Sequence, residues 1–235
     1  MTVLLSIDYI THTFRGASQA TLKDINFSVN AGEQIAMIGR SGCGKSTLLH
    51  MLAGLTMASE GCVRIHGKQI TRPSAKWNMM FQKPSLYPWM NVRENAELGL
   101  VFAGQRDDAK IDRLLSLVGL SDKADAHVQS QSGGQQQRVA IARSIVNDPV
   151  IILADEATGN LDTKTSYEIM SLFQELNEKG ITIGFVTHEP DIAEFTKRNI
   201  VFRDGSLIKD FSVKNRSSAQ LALYELKEVE KETLQ

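Results

Sequence analysis

Short apolar runs alternate along the chain with segments whose apolar residues recur at helical spacing. The runs predict β-strands at residues 4–9, 25–29, 34–38, 62–66, 77–81, 150–154, 181–187 and 199–203. Asn30-Ala31-Gly32 and His66-Gly67-Lys68 have the composition of turns between strands. This alternation predicts an α/β domain with a mainly parallel core sheet, together with an antiparallel β part near the N-terminus.

The middle of the chain has a different pattern. Residues 84–148 contain no strong strand pattern, and helical spacing of apolar residues occurs at residues 91–102, 109–120 and 133–146. We therefore expect a helical subdomain, residues 84–148, inserted into a core made of residues 1–83 and 149–212. A charged amphipathic helix is predicted within residues 213–235.

Composition narrows the class of protein. The chain has 235 residues, of which 42% are apolar, and this suits a single large domain. A net charge of −1 gives no indication of a nucleic-acid partner. The two cysteines, Cys43 and Cys62, do not make a disulfide framework and favour a reducing compartment. The N-terminus lacks a signal-peptide pattern, and no run of about 18 apolar residues could span a bilayer. A membrane role would therefore need a partner that supplies the spans.

A glycine-rich loop follows the strand at residues 34–38 and precedes a predicted helix at residues 46–52. It fits the pattern G-x-x-x-x-G-K-[ST] of phosphate-binding loops, and its flanks argue against an ordinary glycine-rich turn. Lys45 is expected to hold the β- and γ-phosphates, Ser46 to ligate Mg²⁺, and Thr47 to reach a phosphate oxygen. The ATP-binding residues predicted in this loop are Gly39, Arg40, Ser41, Gly42, Cys43, Gly44, Lys45, Ser46 and Thr47.

Two carboxylates, Asp155 and Glu156, end the apolar strand VIILA. A carboxylate at this position can hold the shell of Mg²⁺ in phosphate-loop enzymes, and we assign that role to Asp155. Glu156 lies one residue further, where it could polarise the attacking water. Alone this pair is a weak motif, but it occurs in the same chain as the phosphate loop.

A third motif, SGGQQQRVAIARS, begins at Ser132. It resembles the signature of ATP-binding cassette (ABC) proteins, and the motifs between residues 4 and 209 follow the order of that family. The resemblance implies one ABC ATPase domain of the P-loop NTPase fold over residues 1–235, with ATP and Mg²⁺ as cofactors. In that family two domains pair head to tail. The ATP held by one copy would therefore be contacted by the signature residues of the other copy, which are Ser132, Gly133, Gly134 and Gln135.

The same resemblance assigns further residues. Phe14 matches the aromatic residue that stacks on adenine, and Gln82 matches the glutamine that senses Mg²⁺ and the γ-phosphate. Asp162 lies in the loop that crosses the dimer interface, and His188 matches the histidine that contacts the γ-phosphate. The implied catalytic residues are Glu156, His188 and Lys45, and the implied metal-site residues are Ser46, Gln82 and Asp155.

The chain departs from the family pattern at three positions. Gln131 stands where the signature usually has leucine, so we expect the docking of the signature to be slightly altered. Ala157 replaces a common proline after the catalytic glutamate, which should loosen that turn. Phe14 replaces the commoner tyrosine, and stacking should survive.

Two segments point to different transport systems. FQKPSLYPWMNVRENAELGL resembles importers of the nitrate, sulfonate and taurine type, whereas the segment that begins LADEATGNLD resembles lipoprotein-releasing and macrolide-exporting ATPases. The first hypothesis is an ATPase that powers a permease importing a small solute, and the alternative is an export or lipoprotein-release system. The implied partners are a second copy of the chain, transmembrane permease subunits and a substrate-binding protein, at the cytoplasmic face of the inner membrane.

Other classes fit the sequence less well. A permease-independent ABC ATPase usually carries a coiled-coil insertion or two cassettes in one chain. A P-loop kinase would lack the signature and His188. A regulatory subunit that does not hydrolyse ATP would be expected to have lost Glu156 or His188, and both are present.

Overall fold

Strands and helices alternate along the chain as the apolar pattern predicts. The structure is a computed structural model that describes residues 2–233, with side chains described for residues 2–229. Over residues 2–233 the strands are β1 (Val3–His12), β2 (Leu22–Asn30), β3 (Gln34–Ile38), β4 (Glu60–Ile65), β5 (Lys68–Gln69), β6 (Trp77–Met80), β7 (Ile151–Asp155), β8 (Thr182–Thr187), β9 (Arg198–Arg203) and β10 (Ser206–Ser212).

The helices follow β3, β6, β7, β8 and β10 along the chain. They are α1 (Lys45–Leu52), α2 (Val92–Phe102), α3 (Asp108–Leu117), α4 (Gly133–Ile145), α5 (Thr163–Glu178), α6 (Pro190–Glu194) and α7 (Ala219–Thr233). Two short 3₁₀ turns, Ser121–Lys123 and Val128–Ser130, lie between α3 and α4. No helix in the described part of the chain is long and apolar enough to cross a membrane.

The larger sheet has the spatial order β10-β9-β3-β8-β7-β6. Strands β9, β3, β8, β7 and β6 run parallel, and β10 pairs antiparallel with β9 at the edge. The residues of β8 are all buried, and those of β3 and β7 nearly all, because helices cover both faces of a parallel sheet. Parallel strands place their carboxyl ends at one edge, so the residues that follow β3, β7 and β8 lie close together.

The smaller sheet is antiparallel and has the order β2-β1-β4-β5. Its buried residues, among them Ile7 and Val63, pack in one hydrophobic cluster with α1 and β3. A second cluster combines residues of the helical segment, such as Ala96 and Leu115, with Ile183 of the core sheet. The helical segment is thus packed on the sheet, and its boundaries at residues 84 and 148 stay a prediction.

The predicted α/β fold, with its antiparallel N-terminal part and helical insertion, is confirmed. The predicted strands match β1–β4 and β6–β9 within a few residues, and the three helices predicted in the insertion match α2, α3 and α4. Strands β5 and β10 and helices α5 and α6 were not predicted from the sequence. Residues 1, 234 and 235 of the predicted domain lie outside the described residues.

Candidate active site

The phosphate loop is shaped by glycines that no other residue could replace without strain. A Cβ on Gly39 would lie 2.5 Å from the carbonyl oxygen of Phe202 and 2.7 Å from Cys43 Sγ. Gly44 precedes α1 with φ of 100°, a left-handed backbone that favours glycine. The loop therefore turns tightly from the end of β3 into the N-terminus of α1, where free N–H groups and the helix dipole favour an anion.

A small cavity of about 120 Å³ lies over this loop. Lys45 is 4% exposed, and its Nζ donates to the carbonyl oxygens of Gly39 at 2.7 Å and Arg40 at 3.0 Å. The described residues that line the cavity are Thr21, Ser41, Gly42, Gly44, Lys45, Ser46, Thr47 and Glu156. The two carbonyl oxygens thus hold the Lys45 ammonium beside the glycine-rich backbone that lines the cavity. This arrangement suits the binding of a polyphosphate.

Three of the predicted loop residues lie outside the cavity lining. Gly39 begins the loop and lies close to the carbonyl oxygen of Phe202, and Arg40 is exposed. Cys43 is buried, with Sγ 3.8 Å from Lys45 Nζ, and its N–H donates to the carbonyl oxygen of Arg40 at 3.3 Å. Their contacts with ATP stay predictions.

Ser46 and Asp155 meet beside the cavity, where Ser46 Oγ donates to Asp155 Oδ1 at 2.9 Å. Burial is the main cause that raises the pKa of Asp155, and the nearby charge of Glu156 raises it further. The hydrogen bond from Ser46 and the charges of His50 and Lys45 oppose this rise. A hydroxyl and a partly buried carboxylate are hard oxygen donors, and a cation would relieve the cost of burying the carboxylate. These residues therefore fit Mg²⁺, which binds proteins through few carboxylates and takes phosphate oxygens and water as its other ligands.

Glu156 and His188 come together at the carboxyl ends of β7 and β8. His188 Nδ1 lies 3.3 Å from Glu156 Oε1, and the N–H of Glu156 donates to the carbonyl oxygen of Val186 at 3.0 Å. Glu156 has a φ of 47°, a left-handed conformation that is uncommon for this residue type and occurs often at functional sites. The sheet thus presents a carboxylate at the cavity wall with an imidazole that can orient it.

Gln82 follows β6 and lies next to the turn after Glu156. A Cβ on Gly159 would meet Gln82 Nε2 at 3.3 Å and the Glu156 carbonyl oxygen at 3.4 Å. Gln82 is exposed and does not line the cavity. Its side chain is therefore beside the turn that follows Glu156. No described hydrogen bond joins it to Ser46 or Asp155, and its place in a metal site stays a prediction.

Phe14 is an exposed aromatic residue near the phosphate cavity. Its ring packs edge to face on His12, with centroids 4.6 Å apart. The loop that carries Phe14 closes where the N–H of Thr21 donates to the carbonyl oxygen of His12 at 2.8 Å, and Thr21 lines the cavity. This places an aromatic surface, 48% exposed, on the loop that borders the phosphate site. Thr21 and His12 were not predicted from the sequence, since neither belongs to a recognisable motif.

The signature forms the N-terminus of α4. Ser132 and Gln135 make a capping box, in which Gln135 N–H donates to Ser132 Oγ at 3.3 Å and Ser132 N–H donates to Gln135 Oε1 at 3.0 Å. A Cβ on Gly134 would lie 2.4 Å from Cγ2 of Thr165. Of the described residues that line the phosphate cavity, none belongs to the signature. The chain therefore presents two separate helix N-termini suited to anions.

Asp162 caps the neighbouring helix α5. It accepts hydrogen bonds from the N–H of Thr165 at 2.9 Å and from Thr165 Oγ1 at 2.8 Å, and these bonds lower its pKa. Leu161 lies near Gly133, so the loop at residues 160–162 borders the signature. The predicted dimer loop and the signature thus share one surface.

The three departures noted in the sequence have different surroundings. Gln131 is buried, and its Nε2 donates to His127 O at 3.3 Å and Ser130 Oγ at 3.0 Å, while its Oε1 has no partner. Ala157 is buried, whereas Phe14 is exposed. A polar side chain thus occupies a site in the signature loop that is closed to solvent.

The comparison with protein families identifies the class. A family profile described as "ABC transporter" matches residues 22–159, which is more than half of the chain. The chain belongs to the ABC transporter family. It is an ATP-binding ATPase cassette, and this confirms the resemblance carried by the phosphate loop, the acidic pair and the signature.

Relatives of the cassette include both directions of transport. The macrolide export ATP-binding/permease protein MacB of Chlorobaculum tepidum is 40% identical over 88% of the cassette, which spans 34% of the length of that protein. The taurine import ATP-binding protein TauB of Jannaschia sp. is 38% identical over 83% of the cassette and 76% of the relative. An uncharacterized ABC transporter ATP-binding protein of Thermotoga maritima is 42% identical over 79% of the cassette and 85% of the relative.

Solved structures show the same fold. An ATP-binding cassette whose dimeric structure represents a post-hydrolysis state bound to ADP and Pi has a TM-score of 0.80 at 33% identity, covering 90% of this cassette and 99% of that chain. The cbiO1 protein of Clostridium perfringens, part of the ABC transporter complex cbiONQ, has a TM-score of 0.81 at 26% identity, covering 100% of this cassette and 96% of that chain.

Proposed function

We propose that this cassette is the ATP-hydrolysing subunit of a membrane transporter and that two copies close over two ATP molecules. The observation that carries the proposal is the separation of two surfaces suited to anions. Lys45, Ser46 and Glu156 line one cavity, while Ser132 and Gly133 lie at a different helix N-terminus. A head-to-tail pair of copies would bring the signature of each onto the phosphates held by the other, as the dimeric cassette that resembles this chain supports.

Each residue then has a defined task in hydrolysis. Lys45 and the loop N–H groups bind the β- and γ-phosphates and stabilise charge as it develops. Ser46 and Asp155 would hold Mg²⁺, which neutralises phosphate charge when bound. Glu156 accepts a proton from the attacking water, and His188, at 3.3 Å from it, orients the carboxylate and reaches the γ-phosphate. Phe14 supplies a surface for the adenine ring.

Replacing Glu156 tests this assignment. We expect Glu156→Gln to bind ATP and to lower kcat by about 100-fold or more, because the general base is lost while the shape is kept. Glu189→Gln is the matched control, since Glu189 lies beside His188 but does not line the cavity. ATP should also shift Glu156→Gln to a dimer in size-exclusion chromatography. Hydrolysis by Glu156→Gln at the parental rate would show the assignment to be wrong.

An apolar groove supports the proposal of a permease partner. The groove has a volume of about 650 Å³ and lies between β6 and α2. Its lining includes Trp77, Met79, Phe81, Leu98 and Phe102. We propose that a short helix of a transmembrane permease docks here, which would place the cassette at the cytoplasmic face of the inner membrane. The relation to cbiO1, part of an ABC transporter complex, supports such a partner.

A charge in the groove tests this partner. Phe102 is 77% exposed and lines the groove, so Phe102→Asp should leave the fold and basal ATPase activity intact and abolish co-purification with the permease. Val101→Asp is the control, since Val101 is 55% exposed and does not line the groove. If the parent and both variants were recovered in the soluble fraction with full ATPase activity and without a permease, the permease-independent alternative would be favoured.

For the direction of transport we propose import of a small solute of the nitrate, sulfonate or taurine type, with a substrate-binding protein as a further partner. The relation to TauB supports this. The relation to MacB supports the alternative, an ATPase that energises macrolide-type export. Purification of the complex and a drug-extrusion assay distinguish the two directions. Recovery of a permease together with an extracytoplasmic solute-binding protein indicates import. A complex that lacks a solute-binding protein, in cells that extrude the drug, indicates export.

A further inference from the structure

The last turn of α4 contacts the chain on both sides of Gln82. On one side, Asn78 of β6 donates its side-chain N–H to the carbonyl oxygen of Ser144. On the other side, Arg143 donates to the carbonyl oxygens of Ser85 at 2.9 Å and Pro84 at 2.8 Å. Two adjacent residues of one helix thus hold the segments before and after the glutamine.

Arg143 is built into this contact. Burial lowers the pKa of its guanidinium, whose described hydrogen bonds go to backbone carbonyl oxygens. Ser85 has a φ of 49°, and its Oγ donates to the carbonyl oxygen of Lys83 at 3.1 Å. A left-handed serine persists only where its surroundings hold it. The two bonds from Arg143 therefore fix a backbone conformation that the segment would not keep alone.

The residues between these two contacts are exposed. Phe81, Gln82 and Lys83 all face solvent, and the Gln82 amide lies at the turn between Glu156 and Gly159. A small change in the backbone at residues 84 and 85 would therefore move the Gln82 side chain relative to Glu156. Helix α4 begins at Gly133 in the signature and carries Arg143 in its last turn, so one helix joins the signature to the Gln82 loop.

We infer that Arg143 is a positioning residue for Gln82, and that α4 links the Gln82 loop at one end to the signature at the other. The helix has 13 residues and spans about 20 Å at a rise of about 1.5 Å per residue. The inference rests on the proposed function and on the sensing of Mg²⁺ and the γ-phosphate that the family resemblance implies for Gln82.

Hydrogen exchange in the nucleotide-free protein tests the contact itself. The Tyr87 N–H donates to Asn95 Oδ1 at 2.8 Å, and its exchange rate reports on the loop. Arg143→Met should raise this rate by about tenfold or more, because two hydrogen bonds that fix the loop are lost. Arg138→Met is the matched control on the same helix, since Arg138 bonds to Val118 O at 3.1 Å and Glu168 Oε2 at 2.9 Å. Arg138→Met should leave the exchange rate of the Tyr87 amide unchanged. Equal exchange in the parent and Arg143→Met would overturn the inference.

A double-mutant cycle tests the link to Gln82. In the parent background we expect Arg143→Met to lower kcat by about tenfold, and Arg143→Lys to recover part of the loss because lysine can still reach one carbonyl. In a Gln82→Ala background, Arg143→Met should change kcat by less than about twofold. Arg138→Met should have equal effects in both backgrounds. Activity is measured below the thermal midpoint of every variant.

The outcomes separate the inference from the proposed function. Equal effects of Arg143→Met in both backgrounds, with Gln82→Ala still impaired, would overturn the inference alone. Full activity of Gln82→Ala would overturn the proposed role of Gln82 and the inference together, while the Glu156→Gln test of hydrolysis would stand.

Discussion

Gln131 offers a direct test of how the signature loop is packed. The residue is 8% exposed, and its side-chain oxygen Oε1 is buried without a hydrogen-bond partner. Leucine at this position would remove the unpaired oxygen and fill the same volume with apolar atoms. The substitution Gln131→Leu should therefore stabilise the protein.

The magnitude follows from the contacts that are lost and gained. The unpaired buried oxygen costs about 1–3 kcal/mol, and each of the two bonds from Nε2 contributes about 0.5–1.5 kcal/mol. The carbonyl oxygen of His127 keeps donors when Nε2 is removed, since it also accepts from Ser130 N at 3.1 Å and Ser130 Oγ at 2.7 Å. Burial of leucine adds about 1.5–3 kcal/mol relative to exposure. The midpoints of these contributions leave a net gain of about 2 kcal/mol, or roughly 4–8 °C in Tm for a chain of this size.

Urea unfolding followed by circular dichroism measures this gain, and the slope of the transition should stay unchanged. Gln136→Leu is the control, because Gln136 Nε2 donates to the carbonyl oxygens of Val128 and Gln131, both at 3.1 Å. That variant should lose about 1–2 kcal/mol. ATPase activity of Gln131→Leu should stay within about twofold of the parent, since the Ser132 cap is untouched. A lower midpoint for Gln131→Leu, or equal shifts for both variants, would refute the packing argument.

Three further predictions concern the nucleotide site. Burial raises the pKa of Asp155, so its carboxyl stabilises the fold only at low pH and loses this contribution as pH rises. Asp155→Asn should thus stabilise the nucleotide-free protein near neutral pH, and this gain should fade toward about pH 4. The same variant should abolish Mg²⁺-dependent hydrolysis. A stability difference in urea titrations that does not change with pH would contradict the upward direction of the pKa shift. Phe14→Ala should weaken ATP binding by about 1–3 kcal/mol in calorimetry and leave inorganic triphosphate binding unchanged, whereas Phe14→Tyr keeps the affinity. Alkylation of Cys43 by N-ethylmaleimide, assigned by mass spectrometry, should block ATP binding because Sγ lies 3.8 Å from Lys45 Nζ, and full ATPase activity after complete Cys43 labelling would refute this.

Local patterns were enough to predict the order of elements and the chemistry of the main motifs. Apolar runs predicted β3, β7 and β8 within a residue or two, because buried parallel strands are continuous apolar segments. The glycines of the phosphate loop and the Lys45-Ser46 pair have the same meaning in any chain with that spacing. Strand β10 was not predicted, since it lies at the sheet edge and its last residues are exposed, so its sequence has no apolar run.

Only the tertiary structure decided which of these residues meet. The closeness of Glu156 to His188, 32 positions apart, arises because β7 and β8 are parallel neighbours that end at the same edge. The hydrogen bonds from Arg143 to the Gln82 loop depend on the packing of α4 against β6, and no local sequence pattern predicts that contact. Side-chain chemistry and element type are local properties of a sequence, whereas distances between remote residues depend on how the whole chain packs.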